Sequence, residues 1–419
     1  MAPAIRALIA AAATLAFGGH DAFAGGADNH DILECEPVCK GARWEATGPL
    51  NVARDAHTAT LLPDGRVLVT GGRNPSWPSY ALDSVEIFDP ATGTWSLGPP
   101  MSVPRAMHTA TSLADGRVLV TGGIRDQSGA GHASAEIFDP TAQTWSHAGA
   151  MNEARSWHAA TRLADGRVLV SGGWNGNGAA GTELYDPGAG TWRVTGDLVV
   201  RRYGHTMTRL DDGTVLLAGG SNSGDLQDTL HVTELYDPAE GRSHRVGDAF
   251  DGGVMQPATR LPDGGVLLTG GNGGGVGGSA VFGGGQRFDP HAHAWIRTAP
   301  MAGRRYGHTA TLLANGHVLV VGGENQHSAY PTLSYETLRS TERYDPANDR
   351  WEGSADLDEA RAGHTATALA DGTVLVAGGY AVNGYYAAAS LASAAIYRAA
   401  GVPRLAGRPG TRSPLRATP

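Results

Sequence analysis

Lysine is almost missing from this sequence: Lys40 is the only one in 419 residues. Cysteine is nearly as scarce. Cys35 and Cys39 serve the whole chain, which excludes a disulfide-stapled mini-domain. Beyond the first two dozen residues no stretch of about twenty apolar residues runs without a charge, so no membrane-spanning helix is predicted. Little helical periodicity follows residue 44. Bases are outnumbered, 32 against 41 acids, for a formal charge of −9. That balance argues against general nucleic-acid binding, which neutralises phosphates with clustered Lys and Arg. With 41% hydrophobic and 17% charged residues, a packed core forms readily and global disorder is excluded. Glycine is what the chain has in excess, 61 residues, roughly twice the usual share of about 7%. It shows no every-third-residue period, which excludes collagen.

The two ends read differently from the middle. Arg6, an apolar run over residues 7–17 and Ala22-Phe23-Ala24 form the pattern of a secretory signal. Residues 1–24 are therefore expected to be cleaved and the protein to be secreted or periplasmic. A lead over residues 25–43 carries Cys35 and Cys39, which can oxidise in such a compartment. A small loop disulfide between them is expected if the chain turns there; free thiols and metal ligation are the alternatives. Residues 398–419 hold five arginines, four prolines and no acid, and read as a disordered basic tail.

Between the ends lies a repeat. Gly-Gly pairs stand at Gly71, Gly122, Gly172, Gly219, Gly270, Gly322 and Gly378, spaced 47 to 56 residues apart. An apolar run such as Val67-Leu68-Val69 precedes each pair, and Asp64-Gly65, Asp115-Gly116 or their equivalents precede that run. A His-Thr-Ala-Thr type segment comes earlier still. These pieces predict two short strands joined by a tight hairpin, because Asp-Gly supplies the positive φ the turn needs. A third strand of the type Val-Glu-Ile-Phe-Asp-Pro follows a loop of variable length, and Asp-Pro ends it. Six residues after the Asp comes Trp95, Trp145, Trp192, Trp295 or Trp351, on a fourth strand.

A four-stranded unit of this size cannot bury both faces alone, and radial stacking solves that problem. The fold predicted is all-β, a seven-bladed propeller over residues 44–397. The paired glycines, the hydrophobic strand, an aromatic such as Phe88 and the later Trp resemble the kelch family. The resemblance implies a galactose-oxidase-like propeller, and an oxidase of that kind needs a Cys–Tyr crosslink inside it. Both cysteines lie upstream of the first blade, so no copper radical site is expected. The seventh unit ends at Ile396-Tyr397 without a Trp strand, whereas Trp44 precedes the first unit. The N-terminal strand is therefore expected to complete the seventh blade.

Loops after the Gly-Gly pairs vary in length and content, and variable loops on a rigid scaffold carry binding. Arg54, Arg105, Arg155, Arg202, Arg305 and Arg361 recur three residues before the repeat histidines His57, His108, His158, His205, His308 and His364. Two readings stand: a ring of guanidinium forks for an anion, or braces within the blades. Trp77, Trp174, Tyr330 and Tyr380, with Tyr80, Tyr335, Tyr385 and Tyr386, are candidates for stacking on a sugar or peptide. The glycine-rich loop of the fifth unit reads as a flap or plain linker. A secreted binding or scaffold protein for a glycan, peptide or protein is expected, acting as a monomer without cofactor or metal. The alternative is a carbohydrate-active enzyme, mutarotase-like or oxidase-like. Glu324 and Arg305 are nameable for that role, but no motif singles them out.

Overall fold

The computed structural model describes residues 41–74, 80–175, 181–223, 229–275, 278–326, 335–382 and 388–400. The expected signal, Cys35, Cys39, Trp77, Tyr330, Tyr385, Tyr386 and the tail beyond residue 400 lie outside them.

Seven four-stranded antiparallel sheets form the blades. In the first, Thr58–Leu61, Val67–Thr70, Val85–Asp89 and Thr94–Gly98 run from the inside outwards. The innermost strands of all seven blades pack side by side in a closed circle. Second strands such as Val67–Thr70 are buried along their whole length, since both faces meet a neighbouring blade. Continuous Val-Leu-Val runs there, rather than alternation, follow from that two-sided burial. Each apolar cluster belongs to two blades. Leu68, Val85 and Ile87 of the first, for example, pack on Val118, Val120 and Phe138 of the second.

The local signals act as the sequence predicts. Gly65 takes φ +88° in the first hairpin, and Asp64 accepts a hydrogen bond from the Arg66 backbone N–H at 3.0 Å. The Gly-Gly pairs are demanded by crowding as well as dihedral. A Cβ on Gly71 would lie 2.3 Å from the Arg105 carbonyl oxygen of the next blade. Phe88 and Trp95 stand directly opposite on the third and fourth strands, with ring centroids 5.0 Å apart.

The circle closes as expected. Arg43–Ala46 pairs with Ala394–Arg398, placing Trp44 opposite Tyr397 with rings 5.2 Å apart. Trp44 Nε1 donates to the Ala355 carbonyl of the sixth blade's exit at 2.7 Å. One loop differs from its expectation. The fifth unit's glycine-rich segment is no plain linker: Asn272–Gly275 pairs with Gly278–Val281 as a hairpin. Matching hairpins stand in the next two blades, Glu324–Gln326 with Tyr335–Thr337 and Tyr380–Val382 with Ala388–Ser390.

Candidate functional site

Antiparallel order puts the tight hairpins on one face of the disc and the Gly-Gly loops with the inter-blade links on the other. The site builds up at the axial mouth of the Gly-Gly face, in three tiers.

The deepest tier is the arginine ring. Arg54, Arg105, Arg155, Arg202, Arg305 and Arg361 are at most 2% exposed. Arg105 donates to the Gly122 carbonyl at 2.8 Å, to Ser134, and to Glu136 Oε1 at 2.7 Å. Arg54–Glu86, Arg155–Glu183, Arg202–Glu234 and Arg305–Glu342 repeat the pair. The second carboxylate oxygen reaches the entering link, as Glu136 Oε2 accepts from the Ser102 N–H at 2.8 Å. Arg361 lacks a third-strand acid and uses Ser393, with Glu359 at 3.5 Å. In the fifth blade Gly253 replaces the Arg and Gln286 the Glu. The guanidinium forks thus hold the blade's own carboxylate and carbonyls, and none is exposed to take an anion at the mouth. Of the two readings of the six arginines, this arrangement supports braces within the blades. Sequence reasoning missed the glutamates, although Glu stands three residues before the strand-ending Asp in every unit that pairs.

The histidines form the second tier. His108 Nε2 shares hydrogen bonds with Thr58 and Thr70 of the preceding blade, at 3.1 and 3.0 Å. His158 repeats this with Thr109 and Thr121, and His364 with Thr309. His205 follows a blade with Ala159 where His57, His108, His158 and His364 find threonine, and neither of its ring nitrogens has a partner among the described residues. Burial first, and the Arg54 charge second, push the His57 imidazole down to about 3. The other five are pushed well down by burial as well, so all six are neutral at pH 7.

The third tier was not legible in the sequence. Ala56, Met107, Trp157, Gly204, Met255, Gly307 and Gly363, one per blade, all have φ between +51° and +64°. Their backbones link head to tail: Met107 N–H donates to Ala56 O at 3.0 Å, Trp157 to Met107 at 3.1 Å, Gly204 to Trp157 at 2.8 Å. Met255 to Gly204, Gly363 to Gly307 and Ala56 to Gly363 extend this collar around the axis. Four of the seven are not glycine and carry the steric cost of the left-handed region, a kind of strain that clusters at functional sites.

Around the collar stand the residues following each Gly-Gly pair: Arg73, Ile124, Trp174, Ser221, Asn272, Glu324 and Tyr380. Unlike the inner tiers, no two are alike. In one sector Glu324, 5% exposed, accepts from Tyr306 Oη at 2.5 Å and Tyr380 Oη at 2.7 Å. Burial pushes its carboxyl up, against the two phenols. Beside it Arg73 pairs with Asp55 at 2.5 Å, donates to Tyr80 at 3.1 Å, and Ser390 donates to Asp55 at 2.8 Å. The opposite sector is apolar: Trp174 packs edge-on against Tyr203 with half-buried Trp157 on the pair, and Ile124 clusters with Met107. Trp174 and Tyr80 are buried and Tyr335 and Tyr380 half-buried, so these named aromatics pack within the loops. Trp157 was not singled out from sequence; its place two residues after a repeat Arg was the available signal.

This architecture has relatives. The model of the KLHDC2/KLHL20/DRC7 Kelch-repeats domain matches residues 6–220, about half of the chain. The chain belongs to this kelch-repeat family. Human Kelch-like protein 33 is 33% identical over 25% of this chain and 19% of its own length. A galactose oxidase of Gibberella zeae is 35% identical over 22% and 14% respectively. The kelch chain thus matches less than a fifth of these curated relatives. Among solved structures, a fungal alcohol oxidase of the AA5 family in complex with copper superposes with a TM-score of 0.68 at 20% identity. It covers 85% of this chain and 76% of the oxidase. YjhT superposes at 0.52 with 13% identity, over 83% and 95%. These likenesses show the fold. Among the described residues no three of His, Cys, Asp and Glu gather as metal ligands.

Proposed function

We propose that this kelch-repeat protein is an exported recognition module that seats a glycan on the collar of the Gly-Gly face. What supports this reading is the bipartite mouth. A half-buried indole, Trp157, is held in a strained collar position on one side. The carboxyl–phenol group Glu324–Tyr306–Tyr380 lies in the other sector. Aromatic faces and fixed polar groups together suit a hydroxyl-rich ring. The arginines serve as internal braces, so an anionic ligand is not favoured here.

A glycan array followed by calorimetric titration tests the reading. Trp157→Ala should weaken any glycan hit at least tenfold, with an unchanged circular-dichroism spectrum. Binding of peptides but no glycan, or glycan binding indifferent to Trp157, would overturn it. A second reading, a carbohydrate-active enzyme, is favoured by one observation, a buried carboxyl raised by desolvation at the mouth. Turnover of a bound sugar that disappears in Glu324→Gln with binding retained would establish that reading.

A further inference from the structure

The opposite mouth of the axis, on the hairpin face, carries an unclaimed site. Here the innermost strands end, each with one residue opposite the first valine of the next strand. Those residues are Leu61, Ser112, Arg162, Arg209, Arg260, Leu312 and Ala368. Three neighbouring blades, the third to the fifth, thus present arginine at one level of the ring. The remaining blades present mostly aliphatic side chains, with Leu61 36% exposed.

The hairpin acids have partners of their own. Asp64 pairs with Arg66, Asp115 with Arg117, Asp165 with Arg167 and Asp263 with Arg287. Asp211 holds Arg260. Among the described residues no side-chain hydrogen bond or ion pair engages Arg162 or Arg209. Two adjacent cations therefore lack an acid, in a chain whose formal charge is −9. A cavity of about 740 Å³ opens at this mouth. Its lining joins Arg162 to Leu61, Leu62, Leu113 and Ala370, with Asp64 and Asp115 each held by its own arginine, so it spans the seventh, first, second and third blades.

We propose that this mouth, the cavity with the arginines at its edge, binds a small amphiphilic anion, a carboxylate or phosphate carried on a short aliphatic body. Arg162, which lines the cavity, takes the headgroup, with Arg209 at the same level of the adjoining innermost strand beside it, since the planar guanidinium fork fits two oxygens of either acid. Leu61, Leu62, Leu113 and Ala370 cover the aliphatic part. The site is distinct from the glycan collar, which lies at the other end of the axis.

Titration with hexanoate, hexyl phosphate, hexan-1-ol and hexylamine tests it. Saturable binding of either acid, absent for the alcohol and amine, is expected. Whichever acid binds tighter names the headgroup. Arg162→Ala/Arg209→Ala should weaken binding at least tenfold without lowering the melting temperature, because both side chains reach solvent. Asp211→Asn, which frees Arg260, should tighten it. Trp157→Ala should leave it unchanged, separating this site from the collar. No saturable binding of either acid, or binding equal in the double variant, would overturn the proposal.

Discussion

Each buried arginine is spoken for, and that fixes what its removal does. Arg105 has a fully buried side chain and Glu136 one only 2% exposed, 2.7 Å apart. Breaking such a pair strands a charge in a poorly polarisable interior, at a cost of about 3–5 kcal/mol. Arg105→Gly should therefore lose about that much in urea unfolding. The fifth blade shows the remedy, with Gly253 and Gln286 at the same two positions. Adding Glu136→Gln to Arg105→Gly should then recover at least 1 kcal/mol, of the order of a hydrogen-bonded polar group made neutral. Strictly additive losses in the double-variant cycle would show that the two side chains do not act as a unit. Half of this pair was visible in the sequence. The arginine drew notice because it precedes the histidine. Its glutamate sits in an otherwise apolar strand, where nothing nearby in sequence marks it as the partner of an arginine more than two dozen residues earlier.

At the level of the strand, pattern was a good guide because burial dictates it. Val-Leu-Val runs, Asp-Gly hairpins and the Trp strand all answer to local chemistry, and all seven blades follow from them. The fifth unit's hairpin escaped notice because Asn272–Gly275 has no strand propensity of its own. Its pairing is imposed by its surroundings: Asn272 N–H donates to Val254 O at 3.1 Å and Phe282 N–H to Gly271 O at 3.0 Å. The collar escaped for a related reason, since nothing about Ala56, Met107 or Trp157 announces a positive φ. Closure by the N-terminal strand, in contrast, was legible by simple subtraction, and it carries a prediction. Trp44 and Trp95 make similar ring contacts, at 5.2 and 5.0 Å. Only Trp44 also has a partner for its indole N–H, the Ala355 carbonyl of the neighbouring blade, while Trp95 Nε1 is buried without one. Trp44→Ala should cost about 3–5 kcal/mol, the usual range for a large aromatic. Trp95→Ala should cost about 1 kcal/mol less, the net worth of one hydrogen bond. Equal losses by chemical denaturation would mean the inter-blade bond does not help to close the circle.

The whole molecule carries six neutral histidines near one level of its axis, and they bind its stability to pH. The His57 imidazole falls to about 3 when folded, from 6.5 when free, chiefly through burial. Between those values the unfolded chain holds the extra proton, so stability rises with pH and is lost as pH falls from 6.5 towards 3. The other five ring imidazoles shift in the same direction, as does His132 outside the ring, pushed down to about 3 by burial first. Glu324 works the other way, because a raised carboxyl favours the folded state at low pH, but it is one group against seven imidazoles. Unfolding free energy should therefore be flat near neutrality and fall steeply below pH 6. The fifth blade again supplies the control, since Gln256 occupies the histidine's place and donates to the Gly270 carbonyl at 2.7 Å. His57→Gln should remove one proton from the linkage. That lowers the slope by about 1.4 kcal/mol per pH unit between pH 4 and 6, while stability at pH 7 changes little. Urea titrations at pH 7, 5.5 and 4.5 decide it. An unaltered slope in the variant would mean that His57 is already protonated in the folded protein, and that the belt is not the source of the acid limb.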